Sequence, residues 1–600
     1  MTSPSSEAPE AVYQRHRAAH RRLTDELQRR RDRLGQGRVA VVIAGVVLAI
    51  AVVTGGWLPI WTLAVPVVGL LTLSVVFARV SRRLGLHKRA MAFYDRGLAR
   101  LEERWAGQGE AGTRYLTDSH LYAADLDLFG AGSLFERLCD ARTRGGQDTL
   151  AAWLLAPASS DVIRDRQAAV ADLRRRLGLR EELALLGEVL PAGIDTTSLI
   201  DWAEAHSKLP QRWGRRLLDA LTLLVGITIL LTVIFWPDGL IPLAGALLLQ
   251  GGFVLWHLQR TRDVLKVVER RARDLMELAA ILARIERESF SSPHLQRLQA
   301  SLKSAGLPPS RQLARLANLV DLLNARMNQF FWPFVILLMW GTRMAYSIEA
   351  WRRECGYAVR HWFGVIGEVE AFLSLAAFSF ESPQDPFPEI VAAGPLYEAS
   401  ALGHPLIPRG QCICNDVTLG RELQLLVVSG SNMSGKSTFL RTVGVNAVLA
   451  LAGGTVRADS LRLSPLAVGA TLRIQDSLQA GKSRFYAEIT RIQQIVETAK
   501  GPLPLLFLLD ELLHGTNSHD RAIGAEAIVR ALLDRGAVGL ITTHDLTLAH
   551  IADNLTTRAA NVHFADQLID GKMIFDYQMR PGVVRHSNAI ELMRAVGLPV

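Results

Sequence analysis

At 600 residues the chain is too long for one hydrophobic core, and length alone argues for three or four structural units. Its apolar content of 49% is high for a purely soluble protein, so membrane spans have to be sought first, and its formal charge of +9 suits an anionic bilayer surface at least as well as nucleic acid. Four cysteines (Cys139, Cys355, Cys412 and Cys414) form no paired C-x-x-C sets, which excludes a disulfide framework or a zinc module and implies a cytosolic soluble part.

Residues 1–38 are polar and Arg-rich and read as a basic cytosolic tail, frayed or helical, too long and too charged for a signal peptide. Val39 to Gly56 and Thr62 to Ala78 are then apolar without a charge, each about long enough to cross a hydrocarbon core. A Trp57-Leu58-Pro59-Ile60-Trp61 turn joins them, and Arg38 and Arg79, Arg82 and Arg83 flank them. The spacing predicts a transmembrane hairpin over 39–79 with both ends inside. The pattern recurs over 217–256, where Pro237-Asp238-Gly239 joins two apolar runs flanked by Arg212, Arg215, Arg216, Arg260 and Arg262. A hairpin buried in a soluble fold is the alternative for each pair.

Between the hairpins, 84–210 is charged and helical in pattern. After them, 261–385 carries Val264, Leu265, Val268, Leu275, Leu278, Ala279 and Leu282 at helical spacing, predicting a long lever helix over 261–289 with one buried stripe. Phe330 to Trp340 is apolar but short and contains Pro333, and reads as a buried helix of the soluble part. Residues 373–398, with Pro and Gly, read as a connector, and Cys412 and Cys414 as alternate positions of a strand.

The chemistry gathers in 398–600. An apolar strand, Leu423 to Val428, leads into Gly430-Ser431-Asn432-Met433-Ser434-Gly435-Lys436-Ser437-Thr438, and a helical pattern follows from Phe439 to Leu451. Strand, G-x-x-x-x-G-K-[ST] and helix together make a phosphate-binding loop, with backbone N–H groups turned inward at the positive end of a helix. Lys436 is expected on the β- and γ-phosphates and the Ser437 hydroxyl on Mg²⁺. A second apolar strand, Leu505 to Leu509, ends in Asp510 and Glu511, expected at the metal and at the attacking water respectively. A third, Val538 to Thr543, presents His544 as a γ-phosphate or water contact. Gln475, within Ile474-Gln475-Asp476, stands where a loop would couple metal and water to a neighbouring domain. Gly515-Thr516-Asn517-Ser518 stands where a second copy would be met.

These residues resemble the ATPase domain of the MutS family. Asn432-Met433 inside the phosphate loop is distinctive, and the likeness runs through Asp510-Glu511, Gly515-Thr516, Thr543-His544, Asn561-Val562-His563-Phe564 and Gly597-Leu598-Pro599. His404-Pro405 and Asn415-Asp416-Val417 match the start of that domain. More weakly, Asp125 to Pro157, with Gly145-Gly146 and Trp153-Leu154, is similar to the beginning of the MutS helical core. The resemblance implies an α/β P-loop NTPase of the ABC type, preceded by an all-α core that two transmembrane hairpins interrupt. It implies ATP and Mg²⁺ as cofactors and a homodimer whose composite sites are completed by a serine signature from the partner, here Ser483-Arg484-Phe485. Arg484 departs from the family's usual threonine. No mismatch-reading domain with its Phe-x-Glu wedge is visible, and the second hairpin falls where repair proteins insert their DNA clamp.

The expected function is therefore a multi-pass ATPase of the inner (cytoplasmic) membrane, with its catalytic domain in the cytoplasm, switching a helical core. DNA mismatch repair and DNA binding are implied by resemblance alone. The alternatives are an ATP-driven transporter subunit, a membrane-tethered ATPase acting on a cytosolic protein partner, or a scaffold that binds nucleotide without turnover. The first lacks an L-S-G-G-Q signature and intramembrane charges; Glu511 and His544 argue against the last.

Overall fold

The computed structural model describes residues 7–55, 58–117, 119–187, 196–206, 209, 211–269, 271–303, 306–324, 332–431, 433–472, 484–513, 518–544, 546–569 and 572–584. The first two helices, α1 (Pro9–Gly55) and α2 (Ala64–Leu101), lie side by side as a long hairpin. Both combine a charged half with an apolar half, and on the apolar half Val53, Val65 and Leu71 are exposed. A helical body follows: α3 (Leu134–Leu138), α4 (Arg144–Leu155), α5 (Ser160–Arg174), α6 (Leu177–Gly187) and α7 (Thr197–Glu204). The second hairpin, α8 (Gln211–Ile234) and α9 (Leu240–Leu265), leaves that body and returns to it. Next come α10 (Ala272–Arg287), α11 (Pro293–Ser301), α12 (Pro309–Asn324), the short α13 (Trp332–Leu337) and α14 (Trp340–Glu381).

Among the described residues, five helices are long and apolar enough to cross a membrane. Burial separates them. The apolar windows of α1 and α2 are 0% buried and those of α8 and α9 22%, whereas that of α14 is 78% buried. Thus α14 is the spine of the helical body, packed on α4, α5, α7 and α12, while the four hairpin helices keep their apolar surface uncovered.

The C-terminal part is α/β. A small sheet of order β1-β5-β2-β3 comprises β1 (Glu389–Ile390), β2 (Tyr397–Leu402), β3 (Asn415–Leu419) and β5 (Ser460–Leu463). The larger sheet has the order β10-β9-β4-β8-β7-β6. Its strands are β4 (Leu425–Ser429), β6 (Ala467–Thr471), β7 (Leu505–Leu509), β8 (Val538–Thr543), β9 (Ala559–Ile569) and β10 (Lys572–Pro581). All pair in parallel except β9 with β10, which form an antiparallel pair. Strands β4, β7 and β8 are buried at every position, as expected of strands covered on both faces by α15 (Lys436–Ala452), α16 (Arg484–Thr498), α17 (Ser518–Leu533) and α18 (Leu546–Asn554).

Several sequence expectations change. The basic tail is no separate element: it is the first half of α1, and Tyr13 is buried against Tyr94 and Phe380. The lever over 261–289 is broken, since α9 ends at Leu265 and α10 starts at Ala272, although the stripe of Leu275, Leu278, Ala279 and Leu282 is buried as expected. Residues 373–381 belong to α14 rather than to a connector, because they carry the apolar side chains that its buried end requires. In the Phe330 to Trp340 stretch, α13 leaves Phe334 and Ile336 about half exposed and so is not a buried helix. Cys412 and Cys414 lie in the loop before β3, not on a strand.

Candidate nucleotide-binding site

The parallel strands β4, β7 and β8 end at one edge of the large sheet, and each hands over a functional segment there. From β4 the chain turns through a glycine loop into α15. Gly430 and Gly435 have φ of +153° and +97°, conformations that only glycine adopts without strain. A Cβ on Gly430 would meet Ser434 Oγ at 2.8 Å and the Phe564 carbonyl at 3.0 Å. Met433 also has a left-handed backbone, at φ +71°, and its side chain is exposed.

Lys436, the first residue of α15, is buried, and its Nζ donates to the carbonyls of Gly430 at 2.8 Å and Ser431 at 2.7 Å. Burial pulls its ammonium below the ordinary lysine range, against the opposing fields of Glu511 and Asp510. The buried hydroxyl oxygens of Ser431 and Ser434 have no hydrogen-bond partner among the described residues. A turn of backbone, a cation folded back on its own loop and two orphaned hydroxyls fit an anion such as a phosphate chain.

Two carboxylates stand beyond β7. Asp510 accepts from the Thr542 hydroxyl of β8, and that same hydroxyl oxygen accepts from the Glu511 backbone N–H at 3.0 Å. Glu511 takes a left-handed backbone, φ +49°, and its Oε1 lies 3.3 Å from His544 Nδ1. Thr542 therefore fixes both acids relative to β8, and His544 follows two residues later on the same strand end. Ser437 and Asp510 supply hard oxygen donors of the kind Mg²⁺ takes.

A cavity of about 480 Å³ opens over the loop, lined by Met433, Gly435, Lys436, Ser437, Thr438 and Glu511. Its far wall comprises His404, Ile413, Asn415, Phe564 and Tyr577. The fold thus brings together, from segments far apart in sequence, Lys436, Ser437, Thr438, Glu511 and, through Glu511, His544. Asn432, Gln475 and Ser483 lie outside the described residues, as do Gly515, Thr516 and the 597–599 end of the chain.

Four residues went without a role in the sequence. Thr542 gives no signal beyond its place before His544. Tyr577 lies on β10, with Cδ1 2.9 Å from where a Gly435 Cβ would be, and so roofs the loop. Asn415 holds it there: its amide donates to the Tyr577 carbonyl at 3.0 Å and accepts from Met579 N–H at 2.7 Å. Asp125, buried and distant in sequence, accepts from Leu472 N–H and Arg491, while its carbonyl accepts from Arg441, so the helical body grips both α15 and α16.

Residues 426–600, which contain this loop and both later strand ends, match the family described as MutS domain V. The C-terminal domain belongs to the MutS family. Over 203 residues the chain is 36% identical to a DNA mismatch repair protein MutS of Exiguobacterium sp., covering 33% of this chain and 24% of that protein. The likeness to a DNA mismatch repair protein MutS of Thermus thermophilus is also 36%, over 33% of this chain and 24% of the relative. With DNA mismatch repair protein MutS 2 of Halobacterium salinarum it is 31%, over 41% and 29%. The chain thus spans less than a third of the length of these relatives. Its MutS-family domain is the α/β ATPase-type unit just described, and the preceding helical body and hairpins lie largely outside the match.

Proposed function

We propose that this chain is a membrane-anchored MutS-type ATPase that binds and hydrolyses MgATP as a homodimer. The observation that carries the reading is the joint presentation, at one sheet edge, of the Lys436 loop, the Thr542-braced Asp510–Glu511 pair and His544. Lys436 leaves its loop carbonyls to pair with phosphate oxygens, and the inward N–H groups between Ser431 and Thr438 hold the rest of the chain. Ser437 and Asp510 hold Mg²⁺, which when bound supplies charge neutralisation at the phosphates. Glu511 takes a proton from the attacking water, and His544 beside it fixes the carboxylate's direction. Gln475 and Ser483 are assigned the coupling and cross-subunit roles that the family resemblance implies.

Membrane anchoring is supported by the uncovered apolar halves of α1, α2, α8 and α9 and by the arginines at their ends. On this reading the ATPase domain lies on the cytoplasmic side of the inner membrane. From the names of the relatives we further infer a DNA-directed role in the manner of mismatch repair. Binding of the solubilised protein to matched and mismatched duplexes over a salt series separates sequence-blind charge binding, which fades steeply with salt, from mismatch preference.

The deciding experiment is Glu511→Gln. Hydrolysis should fall by about two orders of magnitude or more, with ATP affinity retained; unchanged turnover overturns the assignment.

A further inference from the structure

A second large cavity lies far from the nucleotide site, along the second hairpin. On α9, Leu247, Gly251, Val254, Leu255 and Leu258 recur at three- and four-residue spacing and so share one helix face. That face meets Val335, Ile336 and Met339, on and just after α13, around a volume of about 990 Å³. From Leu247 to Leu258 the rise is ~16 Å at 1.5 Å per residue, which is about one leaflet of a ~30 Å hydrocarbon layer.

The two ends of this groove differ. Near the inner end the buried Gln250 donates to the carbonyls of Ile336 at 3.3 Å and Leu337 at 2.9 Å, at the C-terminal end of α13. A broken helix inside an apolar layer needs such a partner for its carbonyls. Toward the other end Thr261 is buried and lines the same cavity. Thr261 Oγ1 is a buried polar atom with no hydrogen-bond partner among the described residues, and such an atom asks for a partner from outside the chain. Arg262, the residue after Thr261, and Lys266, just over one turn beyond it, stand exposed on the rim. Asp263 and Glu269 share that rim and are engaged within the chain.

The sequence along the groove is thus apolar for one leaflet, then a hydroxyl, then two cations. That order is the complement of one amphipathic molecule: an acyl chain, an ester carbonyl that Thr261 can donate to, and a phosphate. We propose that the groove between α9 and α13 holds one glycerophospholipid of the surrounding bilayer, its phosphate on Arg262 and Lys266 and one acyl chain running toward Gln250. The proposal rests on the membrane reading above. It gives Phe334 and Ile336 of α13, each about half exposed, a covering that the described residues do not provide.

The test uses the full-length protein, retained in alkali-washed membranes, extracted in mild detergent and measured intact by native mass spectrometry. One glycerophospholipid mass per chain should remain after the detergent is stripped. The double variant Arg262→Gln/Lys266→Gln should lose it, with retention lowered roughly tenfold or more for two lost charge contacts. Val254→Trp, which fills the groove without touching the rim, should lose it as well. Arg79→Gln/Arg82→Gln on the first hairpin should not, and MgATP binding should persist in every variant as proof of folding. Membrane-retained protein that carries no phospholipid, or undiminished retention in both groove variants, overturns the site and leaves the anchoring intact. Release of the wild-type chain from the washed membranes overturns the anchoring and the site together.

Discussion

Thr542 is one hydroxyl serving two acids. It is buried at the end of β8, donates to Asp510 and accepts from the Glu511 backbone N–H. Thr542→Val keeps shape and β-branching but leaves a carboxylate and an amide unpaired, which should cost about 2 kcal/mol in denaturant unfolding. It should also weaken Mg²⁺-dependent ATP binding, and Thr542→Ser should restore both. His404, on the opposite wall of the same cavity, makes a pH prediction. Its Nδ1 accepts from Leu406 N–H at 3.2 Å, so the ring is held neutral. Burial, aided by Arg441 and Arg457, pushes its pKa from 6.5 down to about 4. Above pH 6.5 the folded and unfolded chains both carry the neutral ring. As pH falls from there toward 4, the unfolded chain binds a proton that the folded chain does not, and stability drops by up to about 3 kcal/mol. Melting curves of wild type and His404→Asn over that range should diverge, with the variant less sensitive to acid. At this scale the sequence displayed Lys436 and Ser437 at the start of α15 and Asp510, Glu511 and His544 after strands, the residue types that the proposed phosphate and water chemistry would use. It could not display Thr542, Asn415 or Tyr577, whose roles exist only once β3, β8 and β10 are brought to the site.

Between elements, α4 and α14 cross in close backbone contact. A Cβ on Gly367 would lie 2.8 Å and 2.9 Å from the carbonyl carbon and oxygen of Gly145 and 3.1 Å from the Gly146 nitrogen. All three neighbours are backbone and cannot swing aside. Two effects of Gly367→Ala then oppose each other: about 1 kcal/mol of helix propensity is gained, against some 1–3 kcal/mol of overpacking. The contact should win, and the melting temperature should fall. Gly364→Ala is the control on the same helix: its Cβ would meet nothing within 4 Å, so only the propensity term acts and the protein should become more stable. If both substitutions stabilise, the crossing is looser than described. The sequence showed Gly145-Gly146 as a likeness without a reason; at Gly146 the reason is the Glu370 side chain of α14, whose Cβ lies 2.8 Å from where a Gly146 Cβ would be. Element boundaries were legible where periodicity was strong, as in the buried stripe of α10 and the strands flanking the phosphate loop. They failed where one helix changes character along its length. The arginine half of α1 differs in composition from the apolar half of the same helix, yet nothing in the backbone stops it.

At the scale of the molecule, the hairpin and the ATPase domain are wired through the last turn of α14. Glu381 is buried, with Arg100 of α2 at 2.6 Å and Arg137 of α3 at 2.8 Å, while the Tyr13 hydroxyl of α1 donates to it at 3.3 Å. Burial alone would raise its carboxyl, but the two guanidinium groups hold it below the usual carboxylate range. Just downstream, buried Asp385 pairs with Arg457, whose backbone N–H donates to Asn446 on the helix that starts at Lys436. Tyr13 and Glu381 are 368 positions apart, and no periodicity or local motif can announce such a pair; a tail and a connector were the natural readings of its two ends. The energetics give a sharp expectation. A buried ion network contributes little net stability, because desolvation offsets attraction, but removing one member strands the others. Glu381→Gln should therefore destabilise by about 3–5 kcal/mol and open α1 to trypsin between Arg15 and Arg33, with the cleavage rate following the loss of docking. Replacing all three groups at once, as Glu381→Met with Arg100→Met and Arg137→Met, should recover most of that stability and the protease protection. Asp140, which also contacts Arg100 at 2.9 Å, would then have lost that guanidinium partner, and Asp140→Asn should complete the recovery. A Glu381→Gln chain as stable and as protected as wild type would mean that α1 is held by its tyrosine packing alone.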